Sequence, residues 1–337
     1  MLNYTMRRLF FAVPTLLVIS FIIFAILDLA PNDPTGNLPL TIPAEVRAQI
    51  RESLGLGEPF VIRYFKWLEQ FFINEPLNLL HQWTGWEMFA SDDRLRVTSW
   101  QTRGPVVDLI AERMPQTLWV VGLSYVVGIL IAVPIGVISA YKQYSIFDQI
   151  GTFISMVGFS VPTFFTGVLL IVVFSAQLNW LPSIYDTTLV VNSWSSFWLQ
   201  VKQMIMPVMV LALFNAAQLS RFMRASMLDN LSQDYVRTAR AKGIKESAVV
   251  LVHVLRNSMI PVVTVIALGI PQIFSGAIIT EQIFRVNGLG QLLIIAIQGA
   301  DIPTVQTLTF IFAVLIVLFN LIADIAYGLL DPRIRYD

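Results

Sequence analysis

Between Arg113 and Lys142 the chain reads Met114-Pro115-Gln116-Thr117-Leu118-Trp119-Val120-Val121-Gly122-Leu123-Ser124-Tyr125-Val126-Val127-Gly128-Ile129-Leu130-Ile131-Ala132-Val133-Pro134-Ile135-Gly136-Val137-Ile138-Ser139-Ala140-Tyr141, without one charged side chain. About 20 apolar residues in a helix cover the hydrocarbon core of a bilayer, so this stretch is long enough to cross a membrane. Five further runs share the property: Leu9 to Leu27 ahead of Asp28, Gln149 to about Phe174, and Gln203 to Ser220 between Lys202 and Arg221. The last two are Asn257 to Thr280 and Ile302 to about Tyr327, the latter interrupted only by Asp324. The pattern predicts an all-α polytopic membrane protein with six transmembrane helices.

Composition supports that class. Of 337 residues 56% are hydrophobic and 13% charged, against about a quarter charged in an average globular chain. Mean hydropathy is +0.69, and a soluble domain cannot hide so much apolar surface, because burial is limited by surface-to-volume scaling. Net charge is zero, with 22 basic and 22 acidic residues, so bulk electrostatics gives no reason to expect nucleic acid as a partner. There is no cysteine, and His81 and His253 are the only imidazoles. Thiolate metal sites, disulfides and cysteine nucleophiles are excluded, and two histidines are too few for a zinc site. Neither a catalytic cluster nor a metal site is expected. The run at 9–27 is longer than a signal-peptide core, and Asp28-Leu29-Ala30 is a poor cleavage site, so it reads as a retained span.

Short loops rich in Lys and Arg favour the cytoplasm. With the N-terminus inside, the inner segments hold Arg7, Arg8, Lys142, Arg221, Arg224, Arg237, Arg240, Lys242, Lys245, Arg256, Arg333 and Arg335, while the short outer loops hold only Lys202 and Arg285. Both termini are therefore expected in the cytoplasm. The chain divides into residues 1–30 (tail and first helix), an external segment at 31–113, and a five-helix core at 114–337 that includes an inner loop at about 225–256. In the external segment, Leu54-Gly55-Leu56-Gly57 and Glu58-Pro59 read as a helix stop and turn. Tyr64, Trp67, Leu68 and Phe71 then recur at helical spacing, suited to the lipid headgroup level or to a small external core. Residues 187–201, with Trp194, Phe197 and Trp198, are too short to span and are expected to form an interfacial helix.

In the inner loop, Ser232 is expected as N-cap and Gly243 as C-terminal stop of a helix at Gln233–Lys242. Tyr235, Val236 and Ala239 would line one side of it, with Arg237, Arg240 and Lys242 over the rest. Ala239, Ala241 and Gly243 are small enough for another backbone to come close. The residues are Asp234-Tyr235-Val236-Arg237-Thr238-Ala239-Arg240-Ala241-Lys242-Gly243, then His253-Val254-Leu255-Arg256-Asn257 and Pro261. This stretch resembles the EAA loop of permease subunits in bacterial ABC importers. That family's pattern is Glu-Ala-Ala, three residues, Gly, nine residues, Ile-x-Leu-Pro. Here Arg237-Thr238-Ala239 stands for the triplet and Gly243 keeps the spacing, while His253, Leu255 and Arg256 fall at the Ile, Leu and Pro positions. These departures are similar to those of the oligopeptide/dipeptide/nickel branch. Ala30-Pro31-Asn32-Asp33-Pro34, Arg113-Met114-Pro115-Gln116-Thr117-Leu118, Val161-Pro162, Trp180-Leu181-Pro182, Gly288-Leu289-Gly290 and Asp331-Pro332-Arg333 agree with that branch. Asn74 to about Gln101 departs from it, standing where the branch has a short Gly-Asp-Leu-Gly-like segment.

The resemblance implies the type I ABC importer permease fold in the bacterial inner membrane. It implies a second homologous permease, two ATPase subunits carrying ATP and Mg, and a periplasmic or lipid-anchored substrate-binding protein, with lipid around the spans. The chain has no Gly-x-x-x-x-Gly-Lys-Ser/Thr sequence, so it lacks a P-loop, and ATP hydrolysis is expected on a separate subunit. Asp234, Tyr235, Arg237, Thr238, Ala239, Arg240, Ala241, Lys242 and Gly243 would then form the ATPase-coupling element. Pro134, Pro162, Pro207, Pro261 and Pro271 lie in or beside spans and are candidate kinks of a gate. An ion-coupled secondary transporter is the alternative. It would place ionisable residues near mid-membrane, whereas Asp28, Asp324, Arg221 and Arg224 fall near span ends. Peptides lead among substrates by resemblance, with nickel chelates, sugars and opine-like compounds still open.

Overall fold

The computed structural model describes residues 2–29, 57–85, 95–274 and 277–330, with the isolated positions 43 and 45. Ala30 to Pro34, Leu54 to Leu56, Trp86, part of the Asn74–Gln101 stretch, Asp331-Pro332-Arg333 and Arg335 lie outside them. Among the described residues the regular secondary structure is helical, apart from one isolated bridge between Thr98 and Pro105. Among the described residues, five helices are long and apolar enough to cross a membrane, or six if one sharply bent pair counts as a span.

The helices in order are α1 (Leu2–Leu29), α2 (Phe60–Glu69), α3 (Glu75–Thr84), α4 (Val106–Thr117), α5 (Leu123–Tyr141), α6 (Ile146–Ser160), α7 (Thr163–Leu170), α8 (Trp194–Leu231), α9 (Asp234–Ala241), α10 (Glu246–Ala248), α11 (Leu255–Phe274), α12 (Ile278–Phe284), α13 (Leu289–Gln298) and α14 (Ile302–Leu330). π-Helical turns at Gln70–Asn74, Leu118–Gly122, Ile171–Gln177 and Val249–Val254 join or extend several of them. The second span thus runs from Val106 to Tyr141, beginning ahead of Arg113.

Three expectations change. The third apolar run is not one straight helix: α6 and the Thr163–Gln177 helix meet at 102°. Pro162 explains the break, because its ring removes an amide donor and pushes Val161 out of the helical region; Val161 is extended, at φ −81° and ψ 125°. The interfacial helix expected at 187–201 is not separate. Ser193 and Ser196 form a reciprocal capping box, and from there α8 continues unbroken for 38 residues, about 57 Å at 1.5 Å per residue. Lys202 and Arg221 mark where the hydrocarbon would end and not where the helix ends, since backbone hydrogen bonding runs on past a charged side chain able to reach water. The fifth run stops at Phe274, and Thr280 belongs to the separate helix α12. Of the five prolines singled out, Pro134, Pro207, Pro261 and Pro271 sit within continuous helices, and Pro162 marks the sharp bend.

The chain forms two compact units. One comprises Met1–Arg8, Pro115–Gln291 and Ile316–Asp337. Its centre is the pairing of α5 with α8, where a Cβ on Gly136 would stand 2.5 Å from Met223 Cβ and 2.8 Å from the Ser220 carbonyl oxygen. Only glycine permits that approach, in the manner of small-residue packing between membrane helices. Arg224 of α8 grips Asp148 at the start of α6 with two bonds, Nε to Oδ1 at 2.6 Å and Nη2 to Oδ2 at 2.8 Å. The other unit comprises Leu9–Met114 and Leu292–Leu315. In it α2 packs its aromatic residues on α1 and α14, and Arg96 bridges Glu75 and Asp108 at 2.9 Å each. Ser99 Oγ donates to Asp301 at 2.5 Å, fixing the turn at 99–104 to the start of α14.

Candidate functional site

The inner-loop helix forms, with different ends. Gln233 is the N-cap and makes no side-chain cap bond, while Ser232 instead closes α8, its hydroxyl donating to the Asp229 carbonyl at 2.9 Å. Gly243 is the stop, at φ +72°, with its N–H on the Arg240 carbonyl at 2.9 Å. An open left-handed position of this kind suits glycine. No atom lies within 4 Å of where its Cβ would be, so backbone shape, and not a neighbour within this chain, accounts for glycine here.

The two faces of α9 have different fates. Val236 and Ala239, three residues apart and so one above the other, are buried against Val137 and Ala140 of α5, Met223 and Met227 of α8, and Val250 and Val254 of the π-helical turn. Ala239 is therefore used up inside the chain and offers no small surface to a partner. Tyr235 is not buried beside Val236 as its side of the helix suggested; it is partly exposed and its hydroxyl reaches Asn230 Oδ1 at 2.9 Å. Asp234, Arg237, Thr238, Ala241, Lys242 and Gly243 are exposed. Arg240 bonds Glu246 through Nη2 at 2.7 Å and Nε at 3.2 Å, and Arg237 stands 3.5 Å from Asp234. What remains bare is a small, basic platform around Thr238, Ala241 and Lys242, fastened by two apolar side chains to the ends of the spans.

A second constellation lies where sequence reading assigned no role. Glu281 of α12 is fully buried. Its Oε1 accepts the Thr117 hydroxyl at 2.9 Å, and its Oε2 accepts the N–H of Gln291 at 3.0 Å. The Gly290 N–H also bonds this carboxyl, and Thr117 Oγ1 accepts the Leu289 N–H at 2.7 Å. The carboxylate thus caps the start of α13 from another helix, satisfying amides that have no partner within it. Gly288-Leu289-Gly290 is explained by the same contact. A Cβ on Gly288 would collide with Thr117 Oγ1 and Glu281 Oε2, and one on Gly290 would stand 2.7 Å from Ile278 Cα. Burial pushes the Glu281 carboxyl above its usual range, against the hydrogen bonds that pull it down. The available signal was an acidic residue at the end of an apolar run, one helix ahead of a Gly-x-Gly. Among the described residues no group of three or more His, Cys, Asp and Glu is placed to hold a metal ion.

The model of the binding-protein-dependent transport system inner membrane component matches residues 132–336, and its N-terminal companion matches 1–121. The chain belongs to this family. Among relatives, the oligopeptide transport system permease protein AppB of Bacillus subtilis is 39% identical over 337 residues, all of both chains. The glutathione transport system permease protein GsiC of Escherichia coli K12 is 35% identical over the same full lengths. Among solved structures, a crystal structure of an amino acid ABC transporter with histidines aligns at TM-score 0.49 and 14% identity, covering 66% of this chain and 94% of that one. The chain is thus an ABC importer permease of the oligopeptide/dipeptide/nickel branch, a multi-pass inner-membrane transport subunit and not an enzyme. As a binding-protein-dependent permease it works with a substrate-binding protein and an ATPase. Membership also disposes of the ion-coupled alternative.

Proposed function

We propose that this permease forms half of a path for peptides and takes its drive from an ATPase gripping the bare face of α9. The observation that carries the reading is the split character of that helix: Val236 and Ala239 tie it to α5, α8 and the turn before α11, while Thr238, Ala241 and Lys242 face outward. A partner that moves the platform moves the ends of three spans with it. Lys242 and Arg237 would meet acidic groups on the rim of the ATPase cleft, and Ala241 would let its wall come close. ATP and Mg would stay on two such subunits, and a second homologous permease would complete the path. A periplasmic or lipid-anchored binding protein would deliver substrate. The names of the relatives, for oligopeptide and glutathione systems, support a peptide cargo.

In this arrangement both termini and the 225–256 loop face the cytoplasm, and the 31–113 segment lies on the opposite side of the membrane, where the binding protein docks. The bend at Pro162, with Pro134, Pro207, Pro261 and Pro271 in neighbouring helices, would supply the places where packing changes during transport. The test is Ala241→Trp in the purified complex. Ala241 is exposed, so its enlargement leaves the chain's own packing intact. Blocking close approach should lower binding-protein-stimulated ATP hydrolysis and peptide uptake together by about tenfold or more, a docking loss of at least about 1.4 kcal/mol. Normal uptake in that variant would remove α9 as the docking element.

A further inference from the structure

α2 carries two apolar stripes, and among the described residues its own chain covers only one. Phe60, Tyr64 and Trp67 pack on neighbours: the Tyr64 ring lies 5.4 Å from those of Phe21 and Phe24, and the Trp67 ring 5.4 Å from that of Phe310. Next to this stripe on the helix surface, Val61 and Phe65 are 57% and 62% exposed. The far edge is mixed, with Glu69 and Ile62 exposed and Lys66 paired to Glu58.

The depth of the helix follows from its bonds to α1. Arg63 pairs with Asp28 at 2.5 Å, at the charged end of the α1 apolar run. On the other side, the Tyr64 hydroxyl lies 2.9 Å from Ser20 Oγ and 3.3 Å from the Leu17 carbonyl oxygen. Ser20 lies about 12 Å back along α1 from Asp28, at 1.5 Å per residue, and Leu17 lies near the middle of the Met6–Leu29 span. A domain standing in water above the membrane would not reach that carbonyl. Arg63 and Lys66 lie toward the charged end, and Val61 and Phe65 toward the Tyr64 side. This is the order of polar and apolar faces expected of a helix lying in a bilayer interface.

We infer that α2 is embedded in the leaflet at the C-terminal end of α1, and that lipid acyl chains cover Val61 and Phe65. The alternative occupants of this face, water or a partner protein, give different signals. The chain has no cysteine, so single spin labels can be placed by Phe65→Cys, Val61→Cys and Lys66→Cys in the full permease complex, reconstituted in phosphatidylethanolamine–phosphatidylglycerol nanodiscs. Power saturation is then read with oxygen, which concentrates in lipid, and with a water-soluble nickel chelate. The Phe65→Cys label should relax several-fold more with oxygen than with nickel, and Lys66→Cys the reverse. Val61→Cys replaces Phe65→Cys if the latter does not assemble. A label at these apolar positions relaxed mainly by nickel, as in an external domain, or shielded from both reagents, as under a protein partner, overturns the inference.

Discussion

Two short helices of the same unit, α9 and α12, are held by opposite means. α9 buries two small apolar side chains, Val236 and Ala239, and its side-chain bonds, Tyr235 to Asn230 and Arg240 to Glu246, lie at the exposed surface, where water can replace them. α12 is pinned by a buried carboxylate that gathers the amides of Gly290 and Gln291 and the hydroxyl of Thr117. Those bonds are directional, and every lost one leaves a donor with nowhere to turn. The difference fits a division between a part that is gripped and moved and a part that keeps helix ends in fixed register.

The largest effect expected from breaking this contrast is at Glu281. Glu281→Leu strands two buried amides, each costing about 1–3 kcal/mol, and should lower the unfolding temperature of the purified complex more than any α9 substitution. An unchanged melting curve would mean that the carboxylate pins nothing. Glu281→Gln sharpens the same point through pH. Because burial raises this carboxyl above the ordinary 4.5, the wild type is favoured at low pH and loses stability as pH climbs through the raised value. The glutamine variant has no charge to bury, so wild type should lose ground to it as pH rises above about 4.5; parallel melting curves at all pH values would contradict the assignment.

Val236→Ala comes next. Removing two methyl groups from the fully buried side chain should cost about 1–2 kcal/mol, and should weaken stimulation of the ATPase by loosening the platform from α5 and α8. Full stimulation with a lowered melting temperature would separate the anchor from the coupling. Smaller again is Gly243→Ala, where a left-handed residue gains a Cβ at about 1 kcal/mol. The strain acts on the stop of α9 and not on a contact within the chain, so Gly243→Asn, better suited to that conformation, should recover most of the loss in the same thermal assay.

Much of this was written in the sequence, and the parts that were not share a cause. Charge-free length located the spans, because the bilayer imposes a one-dimensional rule. α9 was legible from its helical spacing and its glycine stop. The end of α8 was not, because Arg221 and Arg224 look like a boundary until Asp148 is seen to pair with one of them. Pro162 was visible as a breaker, but a 102° turn depends on what each half packs against. Ala239 looked available to a partner until Val236, one turn away, was found to face the same core. Glu281 was hardest, since its partners lie at Thr117 and at Gly290 and Gln291, and no local pattern announces a cap supplied from another helix.

The most direct measurement places a photoreactive benzoylphenylalanine at Thr238, and separately at Val236, in the assembled transporter within its native membrane. Irradiation at Thr238 should join this permease to the ATPase subunit, while Val236 should yield adducts only within the permease itself. An ATPase adduct from Val236 and none from Thr238 would show that the faces of α9 have been assigned the wrong way round, and an ATPase adduct from neither would end the claim that this helix receives the drive.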